Sequence, residues 1–351
     1  MELSLSPVSV NIRQESISKR MILVTGANGH IGSHVVKNLL HCGYRVKAFC
    51  RPGSNRKALE NLKGNFEIVE GDILNLKSLT DALAQCEGVI HTAAVYSTDP
   101  CRKEEILKTA IEGSLNTAKA SLNAGVRKFI YTGSVAAVGA SLSPSRLLDE
   151  TSWNETPGSA YVEAKLRSEI ELLSFARERK LPLVTVCPST VIGADDFRIT
   201  PSNAIIAKLK NWPFYLPGGI NLVGVEDVAE GHRLALEKGK TFGRYILSNA
   251  NMRFRDIVGQ IDSLFGEKRI RFPLPMFFLR TAGLGFDALS VITKKTMPLS
   301  LKSVNSYLGR YHFYSNEKAK RELGFAPGPI AFDLEKTIRW MRSLAQRDKK
   351  Q

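Results

Sequence analysis

The stretch Thr25-Gly26-Ala27-Asn28-Gly29-His30-Ile31-Gly32 restricts the possible folds of this chain more than any other. Before it runs a short apolar segment, 21–25, that reads as a buried parallel strand. After it, Ile31, Val35, Val36, Leu39 and Leu40 recur at helical spacing until Gly43 stops the helix. A Gly-x-x-Gly-x-x-Gly turn at a strand–helix junction serves close backbone approaches. Gly26 permits the tight turn, Gly29 lets the backbone approach a pyrophosphate, and Gly32 lets helix and strand pack closely. The helix start adds unpaired N–H groups and a positive dipole end, which suit a phosphate.

The pattern continues beyond that first unit. Strands are predicted at 45–50, 66–70, 88–91, 129–131 and 183–186, and helices at 77–83, 104–124 and 160–179. Such alternation implies right-handed crossovers and a doubly wound, Rossmann-type parallel sheet of the α/β class. Past Pro188 the alternation breaks into short segments rich in Pro and Gly. The expected organisation is a disordered extension over 1–20 and a nucleotide-binding domain over 21–190. A mainly substrate-binding lobe over 191–342 and a basic tail over 343–351 complete it.

The 351 residues are 43% hydrophobic and 24% charged, which argues against collagen-like, coiled-coil and disordered classes. Cys42, Cys50, Cys86, Cys101 and Cys187 form no CxxC pair, so free thiols in a reducing cytoplasm are expected. Residues 1–20 lack the ~7–15-residue apolar run of a signal peptide. The greasiest stretch, 272–293, contains Arg280 and Asp287 and is a poor spanning helix. Its Phe277, Phe278, Leu279, Leu284 and Phe286 read as lobe core, with a membrane-surface helix flanked by Lys294, Lys295 and Lys302 as the alternative. Net charge is +15, and residues 268–351 hold 17 Lys and Arg against 6 Asp and Glu. That asymmetry suits an anionic neighbour or a Lys-rich solvated surface.

Three stretches carry chemistry. NAD-binding sheets usually place an acid at the end of the second strand, ~20 residues past the glycines, to hold the ribose hydroxyls. Here that strand ends Phe49-Cys50-Arg51-Pro52, so Arg51, helped by Arg56 or Lys57, is expected to pair with a 2′-phosphate. NADP(H) is the expected cofactor and NAD(H) the runner-up. Tyr161 and Lys165 lie one helical turn apart on one face, where an ammonium lowers a phenol's pKa from ~10 and fits it for proton transfer. Ser134 follows a strand's carboxyl end, the side on which open α/β sheets bind ligands. His30 and His34 are also four apart, but no catalytic Glu lies between them, and no metal site is expected.

With these marks, and with Gly71-Asp72-Ile73, His91-Thr92-Ala93-Ala94, Pro188-Ser189-Thr190 and Val225-Glu226-Asp227-Val228-Ala229, the chain resembles an extended short-chain dehydrogenase/reductase. It is similar to the dihydroflavonol-4-reductase-like and hopanoid-associated sugar-epimerase-like branches, over roughly residues 21–342. The resemblance implies catalytic roles for Ser134, Tyr161 and Lys165, with Lys165 also holding the nicotinamide ribose. It implies cofactor contacts at Gly26, Asn28, Gly29, His30, Ile31, Gly32, Arg51, Asp72, Ile73, Ala93, Ala94 and Pro188. Tyr96, Ser134, Thr190 and Phe197 would meet substrate, and Phe214 and Tyr215 fall on loops the family uses for it. Gly133 stands where the family usually has Ser or Thr, Ala110 where it has Asn, and His30 where it has an aromatic.

The resulting expectation is an NADPH-dependent oxidoreductase acting on a ketone, or the matching secondary alcohol, of a hydrophobic or amphipathic small molecule. A nucleotide-sugar epimerase or dehydratase with tightly bound NAD⁺ is the first alternative, and a non-catalytic nucleotide sensor or scaffold the second. Expected partners are the small-molecule substrate, a second copy in a homodimer, and an anionic membrane touched peripherally by the basic lobe. No helix-turn-helix, zinc or RNA motif points to nucleic acid.

Overall fold

The apolar runs of the first half become a seven-stranded sheet in a computed structural model, which describes residues 20–96, 102–267, 269–293 and 301–348. The expected extension over 1–20, apart from Arg20, lies outside the described residues, as do Lys294, Lys295 and the last three residues of the expected tail. Strands β1 (Met21–Thr25), β2 (Arg45–Cys50), β3 (Phe66–Glu70), β4 (Gly88–His91), β5 (Lys128–Thr132) and β6 (Leu183–Pro188) come from the first half. Between them run α1 (His30–His41), α2 (Leu76–Ala82), α3 (Lys103–Asn123) and α4 (Ala160–Arg179). These bounds match the sequence-based ones to within a residue or two, because each strand is a short apolar run stopped by polar or glycine residues.

The order in the sheet is β3-β2-β1-β4-β5-β6-β10, where β10 spans Arg244–Leu247, and every pair is parallel. Strand order reverses between β1 and β4, and a crevice opens outside their carboxyl ends, as it must where successive crossovers leave in opposite directions. Gly43, at φ +82°, ends α1 with its N–H on the Leu40 carbonyl. The side chain of Ser159 caps α4 at the Val162 N–H, which sets the helix phase and so the direction of Tyr161 and Lys165.

The expected division at residue 190 needs correction. Beyond β7 (Thr190–Ile192), α5 (Pro201–Asn211), β8 (Phe214–Tyr215) and β9 (Gly219–Gly224), the chain returns to the sheet as α6 (Val225–Lys238) and β10. Val225, Val228 and Ala229 of α6 share a core with Val35, Val36 and Leu39 of α1. Each fully buried Val or Leu gains ~1.5–3 kcal/mol over exposure, which holds α6 on the sheet.

The lobe is assembled from β7, β9, β11 (Ala250–Arg253), α7 (Phe254–Leu264), β13 (Tyr311–His312) and α11 (Ile330–Asp348), with β9 at the centre of its small sheet. Its core joins Ile206, Leu222, Ile257, Ile261, Leu334 and Ile338. Also outside the large sheet lie β12 (Phe272–Pro273), α8 (Met276–Thr293), α9 (Leu301–Tyr307) and α10 (Glu317–Leu323). The 272–293 stretch forms core only in part. Leu279 is buried and Phe286 half-buried, while Phe277, Phe278 and Leu284 face solvent, because only one side of α8 has α9 to pack against.

Candidate active site

A cleft of about 1330 Å³ runs along the carboxyl ends of the parallel strands, from the glycine turn to the lobe. At its floor, Gly26 has φ +67°, and a Cβ there would lie 2.7 Å from the Ala93 Cα. A Cβ on Gly32 would lie 2.2 Å from the Gly26 carbonyl oxygen. Neither position tolerates a side chain, so loop and helix start meet at backbone distance. Gly29 is the N-cap of α1 and offers no side-chain cap, which leaves the first-turn N–H groups available to an anion. These features fit a dinucleotide's pyrophosphate.

One end of the cleft is built by β2 and the loop after it. Asn28 donates to Ser54 Oγ at 2.9 Å and to the Asn55 carbonyl at 2.7 Å, and Ser54 Oγ donates to the Arg51 carbonyl at 2.6 Å. Arg51 is exposed, lines the cleft together with Glu105, whose pKa it helps to lower, and forms no salt bridge among the described residues. Its expected helpers are placed differently. Arg56 is ion-paired with Glu70, and Lys57 does not line the cleft. Asp72, Ile73, Ala93 and Ala94 line the cleft on the β3 and β4 sides. Ile73 sits where a Cβ on Gly113 of α3 would meet it at 2.4 Å, which explains the glycine in that helix.

His30 and Ile31 line the cleft at the start of α1. His30 Nε2 lies 3.0 Å and His34 Nε2 3.3 Å from the Ala194 carbonyl, and the two rings meet edge to face. Burial holds both imidazoles below their ordinary pKa, His34 at about 4. They join α1 to the segment after β7.

Tyr161, Lys165 and Ser134 line the same cleft as the glycine turn. Ser134 starts a short 3₁₀ turn after β5, and its Oγ accepts from the Ala136 N–H at 3.1 Å. The Tyr161 phenol lies near enough to the Ser134 hydroxyl to feel it electrostatically. Burial raises the phenol's pKa, Tyr96 adds to that, and Ser134 opposes it. The rings of Tyr96 and Tyr161 are 4.5 Å apart. Lys165 is buried, and its Nζ donates to the Thr132 carbonyl at 2.8 Å. Burial lowers its pKa to about 8. In this state the lysine is turned to backbone, and the Tyr161 pKa stands raised, opposite to the depression expected from the pair alone.

Sequence reasoning overlooked what lies beneath Lys165. Glu169, one further turn along α4, accepts from Arg244 Nε of β10 at 2.6 Å. Burial raises the Glu169 carboxyl's pKa, and Arg244 opposes that rise. Arg244 also donates to the Glu150 and Ser152 carbonyls and lies 3.9 Å over the Trp153 ring. A signal was present, since 161, 165 and 169 form one stripe at the spacing already used for the first two. A Cβ on Gly133 would lie 3.2 Å from both Glu169 Oε2 and Cys187 Sγ, so this carboxylate borders the place of the family's usual Ser or Thr.

Of the expected substrate residues, Tyr96, Ser134 and Thr190 line the cleft, as does Pro188 at the end of β6. Phe197 does not. It packs edge to face on Trp340 of α11 at 5.8 Å, and Arg198 lines the cleft beside it. Left-handed backbone at Asp195 (φ 59°) and Ile199 (φ 46°) bends this loop in a way no periodic reading anticipates. Phe214 and Tyr215 also lie in the lobe core, Phe214 stacked on Trp212 at 5.0 Å.

Known proteins share this arrangement. The model of the NAD dependent epimerase/dehydratase family matches residues 22–247, which end where β10 completes the sheet. Cinnamoyl-CoA reductase 2 of Arabidopsis thaliana is 30% identical, over 89% of this chain and 96% of that protein. The crystal structure of gox2253 is 34% identical with a TM-score of 0.81, covering 92% of this chain and 98% of that one. PA4631, described as a nucleoside-diphosphate-sugar epimerase from Pseudomonas aeruginosa, is 25% identical with a TM-score of 0.74, covering 92% and 98%.

Proposed function

The chain belongs to the NAD dependent epimerase/dehydratase family, as an extended short-chain dehydrogenase/reductase, and from that premise we propose an NADPH-dependent oxidoreductase that reduces a ketone of a hydrophobic or amphipathic small molecule. The observation that carries this reading is that Ser134, Tyr161 and Lys165 line the same cleft as the glycine turn. NADPH, when bound, supplies the hydride. Tyr161 gives its phenolic proton to the carbonyl oxygen, and the Ser134 hydroxyl steadies that oxygen as charge develops on it. Lys165, whose Nζ donates to the Thr132 carbonyl, would hold the nicotinamide ribose. In the oxidation direction the same groups act on a secondary alcohol.

Arg51, in place of an acid at the end of β2, supports NADPH over NADH. On the lobe side, Leu216, Ile220, Phe254 and Leu308 line the cleft, which supports an apolar substrate. The four described cysteines are free thiols, in keeping with a reducing, cytoplasmic setting. A second reading rests on Arg198 and Arg310, which line the same cleft and suit the diphosphate of a nucleotide sugar. That enzyme would be an epimerase or dehydratase retaining NAD⁺.

Mass spectrometry of the dinucleotide released on denaturing the purified protein separates the two. NADP(H) or an empty site refillable by NADPH supports the reductase; stoichiometric NAD⁺ overturns it in favour of the second reading. For Tyr161→Phe, kcat with a ketone is expected to fall by ~10²–10⁴ with NADPH affinity retained. Unchanged turnover in that variant would remove Tyr161 from the chemistry.

A further inference from the structure

The outer face of α8 has no part in the reductase reading. There Phe277, Phe278 and Leu284 are 70%, 59% and 55% exposed, and just before the helix Ile270 and Phe272 are 82% and 63% exposed. Phe277, Thr281, Leu284 and Ala288 follow one another at steps of four and three, so they share the solvent side of the helix. Arg280 is the only charged residue among the exposed described positions of α8. Asp287 is partly buried, its carboxylate accepting from the Leu301 N–H at 3.0 Å. A contiguous apolar surface of this kind marks a contact with another body.

The surrounding charge selects the body. Residues 268–310 contain eight Lys and Arg and a single acid, Asp287, although Arg269 and Arg271 are ion-paired with Glu267 and Asp262. Arg280 and Arg310 have no carboxylate partner among the described residues; each donates to Asn305. A two-fold pairing of two such faces would bring like charges together, whereas an anionic lipid surface complements them. No helix among the described residues is long and apolar enough to cross a membrane, so α8 would lie flat.

We propose that α8 docks the protein on an anionic bilayer surface. Phe277, Phe278 and Leu284 enter the headgroup–acyl boundary, and Arg280, its stem lying along the apolar face, reaches the phosphates. Helix α9 packs on α8 and lines the cleft with Ser306 and Tyr307. The docking does not depend on the reductase reading.

Flotation of the full chain on vesicles tests it without any turnover. The protein is expected to float with equal parts phosphatidylcholine and phosphatidylglycerol, and to stay at the bottom with phosphatidylcholine alone. Phe277→Ser/Phe278→Ser should reduce the floated fraction by about tenfold or more, and Arg280→Glu should weaken it too. Phe332→Ser, which removes a 69% exposed Phe on α11, should float as the unaltered protein does. Circular dichroism confirms that each variant is folded. Absence of flotation on the anionic vesicles, equal flotation on both kinds, or equal loss in Phe332→Ser overturns the proposal. So does light scattering that shows a dimer which Phe277→Ser/Phe278→Ser converts to monomer, since a second copy would then cover the face.

Discussion

Lys165 is pulled in two directions. Burial lowers its pKa to about 8, and the Glu169 carboxylate opposes that drop. In the proposed mechanism the ammonium is the form that holds the ribose, so kcat/KM should be level below pH about 8 and fall as pH rises through it. Lys165→Met should be less active throughout and lose that limb; a pH profile for both proteins checks this. Stability has the opposite slope. The folded-state pKa lies below the unfolded one, so between about 8 and the ordinary lysine value the unfolded chain holds a proton the folded chain has lost. Stability therefore rises with pH across that window.

Arg51 supports a second prediction on the scale of one side chain. A charge-assisted contact with a 2′-phosphate contributes ~1.5–3 kcal/mol, or ~10–100-fold in affinity. Arg51→Ala should raise the KM for NADPH by about that factor and leave the KM for NADH within about twofold. Equal effects on both cofactors would show that Arg51 meets no 2′-phosphate.

Between elements, the Glu169–Arg244 pair joins α4 to β10 and, through the Glu150 and Ser152 carbonyls, to the loop beneath the site. Removing one partner of a buried ion pair leaves an uncompensated charge and costs ~3–5 kcal/mol. Arg244→Met should therefore lower the unfolding free energy by about 3–5 kcal/mol in urea titrations, and adding Glu169→Gln should recover part of it. Additive losses would show that the two side chains act separately. Elements of this kind were legible along the chain but their meetings were not. The strands to Leu183 and the helix bearing Tyr161 follow from local periodicity, whereas the pairing of β10 with β6 joins residues about 60 positions apart.

Across the whole molecule, burial depresses five of the six histidines: His30, His34, His91, His232 and His312. His91 falls to about 3, and His34, His232 and His312 to about 4. Folded-state values below the unfolded ~6.5 mean that the unfolded chain binds more protons in this range. Stability is full above pH ~6.5 and is lost as pH falls toward 4, at up to ~1.4 kcal/mol per pH unit for each such histidine. The midpoint of thermal unfolding, followed by circular dichroism from neutral to acid pH, should drop steeply in that window. His91→Asn should make the drop shallower.

By itself the sequence determined the parallel sheet, the glycine turn and the helix that carries Tyr161 and Lys165, because strand runs, helix periods and close backbone approaches leave local marks. Only the tertiary structure decided that α6 and β10 return to the sheet, that Phe197 faces α11, and that Phe277 and Phe278 face outward. Those outcomes depend on which apolar surfaces find one another across long stretches of chain. Hydrophobic burial has no direction of its own, and a greasy helix looks the same in sequence whether a neighbour covers it or leaves it bare.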